Sequence, residues 1–205
     1  MSVHKSFVLV EGDHRRDVER LLDGLGYAFA VVPRTLPTFD QASKVLYQWQ
    51  VSPSVVKKAL GHVNGWTTLF DPELMLARDP EACRKLARLA RSRVFTAVCD
   101  GTSGTFGFTH VRGAATRSFL VCGGETVCDV GAPLEHEAGI VLDHPTEEDV
   151  ERVMERVAFP AAALTDSGSW QILTLRQREE MHAHAAHAAA GGDDHAHKRQ
   201  WWRFW

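Results

Sequence analysis

The segment at positions 94–130 reads VFTAVCDGTSGTFGFTHVRGAATRSFLVCGGETVCDV, and it determines the expected fold class. It contains four short runs rich in β-branched and aromatic residues, separated by turns that contain glycine, at 100–104, 113–115 and 123–124. No helical pattern stands between these runs, as a parallel arrangement would require. The segment therefore predicts a meander of antiparallel strands.

Before and after this meander in the sequence, five segments have apolar residues at i, i+3, i+4 and i+7. This spacing is typical of amphipathic helices. Each follows a start signal, such as Asp13, the Thr38 and Gln41 pair, or a proline after Ser or Asp. The predicted helices carry their apolar residues at 18–25, 42–49, 56–63, 83–90 and 150–157. Further strands are predicted at 7–10, 27–32, 67–70 and 170–175. We expect an α+β fold with a mostly antiparallel central sheet, flanked by about five amphipathic helices.

The composition describes an ordinary globular chain of 205 residues, with 44% hydrophobic and 24% charged residues. A net charge of −3 lacks the positive surplus of most nucleic-acid-binding proteins, so we expect no nucleic-acid partner. The first apolar run, at 7–10, is interrupted at once by charged residues, and no stretch reaches the length of a membrane helix. The expected location is the cytoplasm.

The chain divides by composition into a body at 1–175 and a tail at 176–205. The body holds all the predicted helices and strands, and it is expected to form a single globular domain. In the tail, alanine and histidine replace the mixed apolar pattern, and Gly191 with Gly192 would stop any alanine-rich helix. We therefore expect the tail to be an appendage to the body.

The tail contains five of the eleven histidines, and imidazole is a common metal ligand. On a helix, Glu180, His184 and His187 stand at i, i+4 and i+7, where one carboxylate and two nitrogens face the same side. The main expectation is a solvated tail without a specific ligand, and the alternative is weak binding of Zn²⁺ or Ni²⁺. A catalytic metal is disfavoured because such a tail supplies no supporting shell around the ligands. No other cofactor is predicted.

The chain ends in an aromatic cluster formed by Trp201, Trp202, Arg203, Phe204 and Trp205. Tryptophan and arginine dominate the energetics of protein interfaces, so the cluster is predicted to dock against protein, either its own body or a partner. Membrane insertion is disfavoured because only Lys198 and Arg199 precede the cluster as basic neighbours.

The remaining candidates for chemistry have simpler structural interpretations. The glycines of the 100–107 loop are predicted to form a hairpin turn, because a strand follows them and no lysine is near. His110 is expected to be a hydrogen-bonded sheet residue, and the four cysteines to be free thiols. Acidic residues at strand ends are weak candidates for catalysis: Glu11, Asp13, Asp71, Glu73, Glu135 and Glu137.

These patterns favour a non-catalytic protein that binds or regulates another protein, as an inhibitor or an accessory subunit does. The first alternative is a hydrolase that uses the acids of the strand-end loops, for which a concave pocket that joins such an acid to a histidine would be the sign. The second alternative is a metal-binding protein that acts through the histidines of the tail.

Overall fold

The computed structural model describes residues 5–48, 55–165 and 167–178. These residues form one ten-stranded sheet, four α-helices and two 3-10 turns, Glu135–Glu137 and Ala161–Leu164. The strands are β1 (Lys5–Glu11), β2 (Tyr27–Phe29), β3 (Arg34–Leu36), β4 (Val56–Val63), β5 (Trp66–Phe70), β6 (Val94–Asp100), β7 (Thr105–Arg112), β8 (Ala115–Cys122), β9 (Glu125–Val130) and β10 (Trp170–Gln177). The helices are α1 (Val18–Gly24), α2 (Phe39–Tyr47), α3 (Pro80–Ala90) and α4 (Glu147–Val157).

The predicted meander is confirmed as four consecutive strands, β6 to β9, that end at one edge of the sheet. The order continues inward through β1, β5, β4 and β10, and both β2 and β3 pair with β10 at the opposite edge. The pairings between these strands are antiparallel. The mixed α+β class with a large antiparallel sheet is therefore confirmed.

The third predicted helix is wrong, because residues 56–63 form strand β4. A two-residue turn at Asn64 and Gly65 joins β4 to β5, and the φ angles of these residues are 47° and 84°. Positive φ at both positions is typical of a type I′ turn, for which Asn-Gly is the preferred sequence. Strand β4 is covered on both faces, so its apolar residues do not alternate with polar ones and they mimic a helical period. The described residues thus contain four helices where the sequence predicts five.

Three of the four helices begin at the capping residues that the sequence predicts. The side chains that accept backbone N–H groups at these starts belong to Thr38, Asp79 and Thr146. The prediction for α1 is wrong: this helix begins at Val18 after Asp17, and Asp13 binds Arg15 instead of capping it. Helix α1 is consequently shorter than predicted, and residues 13–17 lie outside it.

Helices cover both faces of the sheet, so the fold has three layers. Helices α2 and α4 contribute to the core on one face, and α1 and α3 contribute to the core on the other. Along β1, Phe7 and Leu9 belong to the first core, whereas Val8 and Val10 belong to the second, as the two-residue period of a strand requires. Because the two cores cover both faces of the sheet, its backbone is accessible at the edges.

Cys122 and Cys128 do not face each other, because Cys122 pairs with Glu125 and Cys128 pairs with Leu120. All four cysteines are free thiols in the described structure, as the sequence predicts. Within the described ranges, none of the helices has the length and apolar character needed to span a membrane.

Candidate functional site

The edge of the sheet beside β10 is interrupted by a bulge. Strand β2 pairs with the end of β10 and β3 pairs with its beginning, so residues 27–36 follow one edge. Residues 30–33 separate β2 from β3, whereas only Leu173 and Thr174 separate their pairing partners on β10. The additional residues leave the edge, and Val31 and Val32 are 58% and 88% exposed. Two large apolar side chains are thus presented to solvent beside an outer strand.

A groove lies between this bulge and the beginning of α1, and we call it the α1–β2 groove. Its volume is about 540 Å³. Two arginines, one acid and six apolar residues line it: Arg15, Arg16, Glu19, Val18, Phe29, Ala30, Val31, Val32 and Pro33. The chain returns from α1 to β2 through Gly26, where a φ of 92° suits glycine. This tight return sets β2 beside α1 and forms the two walls of the groove.

The rim of the α1–β2 groove is charged on the α1 side, where Asp13 and Glu19 balance Arg15 and Arg16. Nε and Nη2 of Arg15 donate to the two carboxylate oxygens of Asp13 at 2.9 and 2.7 Å. The hydrogen bonds from Arg15 hold the pKa of the Asp13 carboxyl far below its usual range, so the pair is charged at neutral pH. Arg16 is exposed beside this pair, and Glu19 supplies the negative charge of the lining. The rim therefore presents an oriented guanidinium at Arg15 and an exposed one at Arg16.

Three properties of the groove suit an extended peptide. The backbone of β2 pairs with β10 on one side, and its other side is the outer edge of the described sheet. The apolar lining provides area for burial of side chains, and the exposed guanidinium of Arg16 provides donors for a carboxylate. Strand addition at a sheet edge combines such backbone pairing with side-chain pockets.

Glu11 lies at the end of β1, and the structure gives it an ion pair. Nε of Arg93 donates to Glu11 Oε2 at 2.7 Å, and Nη2 of Arg93 donates to Oε1. The same guanidinium stands 5.4 Å from the ring centre of Trp66, where a cation–π contact forms. The hydrogen bonds from Arg93 lower the pKa of Glu11. Glu11 therefore acts as a charged partner that joins the end of β1 to the residue before β6.

Glu137 is a second acid held by an arginine, and this arginine, Arg117, is almost completely buried. Nε and Nη2 of Arg117 each donate to this carboxylate at 2.9 Å, and Nη1 donates to Asp129. The backbone N–H of Leu134 also donates to Glu137 Oε1, at 2.7 Å. The neighbouring Glu135 is exposed. Of the two acids in this turn, Glu137 is a structural residue that anchors the chain after β9 to β8.

His110 on β7 differs from the sequence expectation. The residue is 7% exposed, and its Nε2 atom is buried with no hydrogen-bond partner among the described residues. Burial lowers the pKa of His110 to about 4, and the nearby charges of Arg93, His136 and Arg112 add to this effect. Glu11 opposes the shift. His110 is therefore neutral at physiological pH, and the predicted hydrogen bond does not form at Nε2.

Asp71 and Glu73 converge on Lys58, which the sequence does not single out. The Lys58 and Asp71 side chains are fully buried, and Glu73 is 11% exposed. Lys58 Nζ donates to Asp71 Oδ1, and it donates to Glu73 Oε2 at 3.3 Å. Lysine is ordinarily a solvent-facing residue, and the predicted helix at 56–63 does not place Lys58 beside Asp71; the register of β4 and β5 brings the two together.

The 100–107 loop is a hairpin turn, as the sequence predicts. Asp100 and Thr105 close it as the last pair between β6 and β7. The Asp100 carboxylate accepts the N–H of Thr102 at 2.9 Å and the hydroxyl of Ser103 at 2.6 Å. These bonds account for the polar residues of the loop.

The remaining predicted sites lie outside the described residues. These are the terminal aromatic cluster, Trp201, Trp202, Arg203, Phe204 and Trp205, and the candidate metal ligands, Glu180, His184 and His187. Within residues 5–48, 55–165 and 167–178, no group of three or more His, Cys, Asp or Glu side chains is placed to hold a metal ion.

Comparisons of the chain with models of protein families, with curated proteins and with solved structures found no match.

Proposed function

We propose that this chain is a non-catalytic protein that binds and regulates another protein through the α1–β2 groove. The observation that carries the proposal is the groove itself, where an apolar lining, exposed arginine and an outer strand edge meet. The inhibitor or accessory-subunit class fits this surface, because such proteins act by occupying a partner. The proposed location is the cytoplasm.

The proposed partner offers an extended segment with apolar and acidic side chains. The segment adds to the edge of β2, and its apolar residues cover Val31 and Val32. An acidic residue of the partner binds Arg16, because a charge-assisted hydrogen bond to carboxylate is among the stronger polar contacts. Burial of the exposed part of the two valines contributes on the order of 1–2 kcal/mol each.

The terminal aromatic cluster is proposed as a second contact with protein. The described chain ends at Arg178, whose N–H donates to Gly26 O at 2.8 Å, so the tail begins at the turn between α1 and β2. Residues 179–205 provide enough length to reach the groove or a partner that occupies it. Tryptophan emission of the purified chain, compared with a variant carrying alanine at 201, 202 and 205, tests the contact. Water-exposed emission that shifts to the blue only with lipid vesicles would favour a membrane instead.

The hydrolase alternative has no specific support in the described geometry. Glu11 pairs with Arg93, Asp71 with Lys58, and Glu137 with Arg117, and each pair joins two segments of the fold. These acids therefore have structural roles that explain their positions at strand ends.

The groove is tested with a displayed library of random peptides, selected on the immobilised full chain. We expect enriched peptides that combine acidic and apolar residues and that bind more weakly as salt increases. The variants Val32→Asp and Arg16→Glu are expected to lose binding. Val141→Asp is the matched control, because Val141 is 69% exposed and lies outside the groove.

A selected peptide that binds Val32→Asp and Arg16→Glu as tightly as the unaltered chain would reject the groove as the binding surface. Failure of every peptide to be enriched would reject an extended segment as the partner. Circular dichroism of each variant shows whether the fold is retained, so that a loss of binding is assigned to the surface.

A further inference from the structure

Lys58 and Asp71 are placed opposite each other at the end of the β4–β5 pair. The last registered pair is Ala59 with Phe70, and one further step along both chains reaches Lys58 and Asp71. Both side chains are fully buried, and Nζ contacts Oδ1. A primary amine and a carboxyl group are thus held together where water is excluded.

The carboxyl group of Asp71 is oriented by the chain that follows it. Oδ2 accepts the backbone N–H groups of Leu76 at 2.7 Å and Ala77 at 3.0 Å. Two N–H donors on one oxygen polarise a carboxyl group and stabilise negative charge that develops there, as in an oxyanion hole. Oδ1 is left facing the amine of Lys58.

Glu73 is the third group of this cluster. Its Oε2 lies 3.3 Å from Lys58 Nζ, and its Oε1 accepts the N–H of Lys57 at 3.1 Å. The Glu73 side chain is therefore fixed beside the amine by a backbone bond. Its Oε2 lies within reach of Nζ, which itself contacts Asp71 Oδ1.

We propose that Lys58 and Asp71 condense to an isopeptide bond between Nζ and Cγ, with Glu73 as the proton carrier. Glu73 takes a proton from the ammonium of Lys58 and passes it to Oδ1 of Asp71, so that the free amine attacks Cγ of a neutral carboxyl group. Negative charge develops on Oδ2, where the N–H groups of Leu76 and Ala77 bind it. Glu73 carries a second proton from Nζ to Oδ1, the Cγ–Oδ1 bond breaks, and Oδ1 leaves as water.

The protonation states agree with this sequence of steps. Burial alone would lower the pKa of Lys58, but Asp71 and Glu73 outweigh it and the pKa is raised, so the amine starts protonated and needs a base. Burial raises the pKa of Glu73, which makes its carboxylate a stronger base than an exposed one. Glu73 ends the reaction in its starting state, so no external reactant is consumed.

The product would satisfy the same polar groups with less buried charge. The new amide oxygen keeps the bonds from Leu76 and Ala77, and the amide N–H faces Glu73. Removal of a fully buried ammonium and carboxylate also removes their desolvation cost. The cross-link would join β4 to the segment after β5 covalently.

The test is the intact mass of the denatured full chain. The proposal expects a mass lower than that of the sequence by one water, and a proteolytic fragment in which Lys58 and Asp71 peptides are joined. Lys58→Arg keeps the cation but cannot form the amide, so its mass should equal that of its sequence. Glu73→Gln keeps an acceptor of similar shape and should greatly slow the loss of water.

Asp71→Asn provides an independent check. If the asparagine reacts, it releases ammonia and yields a chain with the same mass as the cross-linked unaltered protein. An unaltered chain that folds, as judged by circular dichroism, and that retains its full sequence mass would overturn the proposal and leave the cluster as an ion pair. Loss of water that persists in Lys58→Arg would also overturn it.

Discussion

Arg117 on β8 and Glu137 in the turn after β9 form a bidentate ion pair that is almost completely buried. Their side chains are 5% and 7% exposed, and two N–H groups of the guanidinium meet the two carboxylate oxygens at 2.9 Å. Rings of Phe108 and Phe119 lie near the same guanidinium. The pair ties the long connection between β9 and α4 to the sheet.

Replacement of Glu137 by alanine is expected to destabilise the fold by about 3 kcal/mol, because it leaves a buried guanidinium without its main partner. Denaturant unfolding at neutral pH measures the change. Glu135→Ala is the matched control in the same turn, since Glu135 is 91% exposed and should change stability by less than about 0.5 kcal/mol. Equal effects of the two substitutions would show that the pair contributes little.

Replacement of Gly65 by alanine is expected to cost about 1 kcal/mol or more, because residue 65 has a φ of 84° in the turn between β4 and β5. Unfolding by denaturant measures this effect. Gly168→Ala serves as the control, since Gly168 is outside the positive-φ region and a Cβ there would meet no described atom within 4 Å. If Gly65→Ala and Gly168→Ala were equally stable, the positive φ at residue 65 would carry no cost for alanine. That result would contradict the two-residue turn between β4 and β5.

The stability of the fold is expected to decrease as the pH falls from about 6.5 to about 4. The pKa of His110 is about 4 in the folded state and near 6.5 when unfolded, so the unfolded state binds the proton first. The stabilisation is complete above the unfolded pKa and is lost as the pH falls through the folded one. The loss attributable to His110 is at most about 3 kcal/mol.

His110→Gln removes the titrating group and should flatten this part of the pH profile. Unfolding free energies measured from about pH 7 to about pH 4 compare the two proteins. His144→Gln is the control because His144 is exposed, and its profile should follow that of the unaltered chain. An unchanged slope in His110→Gln would assign the acid sensitivity to other groups.

A chain that ends at Arg178 is expected to remain soluble and to melt cooperatively, because the helices and strands of the described fold lie before that residue. Ending the chain at Leu175 should lower the melting temperature, since Gln177 pairs with Tyr27 and Arg178 binds Asp23. Calorimetric melting of the full and shortened chains provides the measurement. Loss of the cooperative transition on removal of 179–205 would assign the tail to the folded body.

Binding of Ni²⁺ or Zn²⁺ by the tail is expected to be weak, because ligands in a histidine-rich tail lose conformational freedom when they bind. Titration calorimetry of the full chain tests this, with a variant carrying alanine at His184 and His187 for comparison. A stoichiometric site with the affinity of structural zinc, lost in that variant, would contradict the expectation.

The meander was predictable because each of its hairpins joins neighbouring runs through a local turn. The error at 56–63 also has a local cause, since the Asn64 and Gly65 signal for a hairpin is in the sequence and outweighs the helical spacing. The burial of Lys58 was not predictable, because its partner Asp71 becomes its neighbour only through the register of β4 and β5. The α1–β2 groove depends on contacts between β10 and residues more than a hundred positions earlier. Local patterns carry no information on such pairings.

The position of β10 has a consequence for synthesis on the ribosome. Among the strands of the described residues, β10 comes last in the chain, yet it lies between β4 and the segment that holds β2 and β3. Those two early strands gain their backbone partner only after at least 170 residues have been translated. During this interval an unpaired edge with neighbouring valines is exposed, which is the state in which nascent chains associate wrongly. We therefore expect expression of this chain to be sensitive to chaperones and to the rate of translation, more than the stability of the finished fold would indicate.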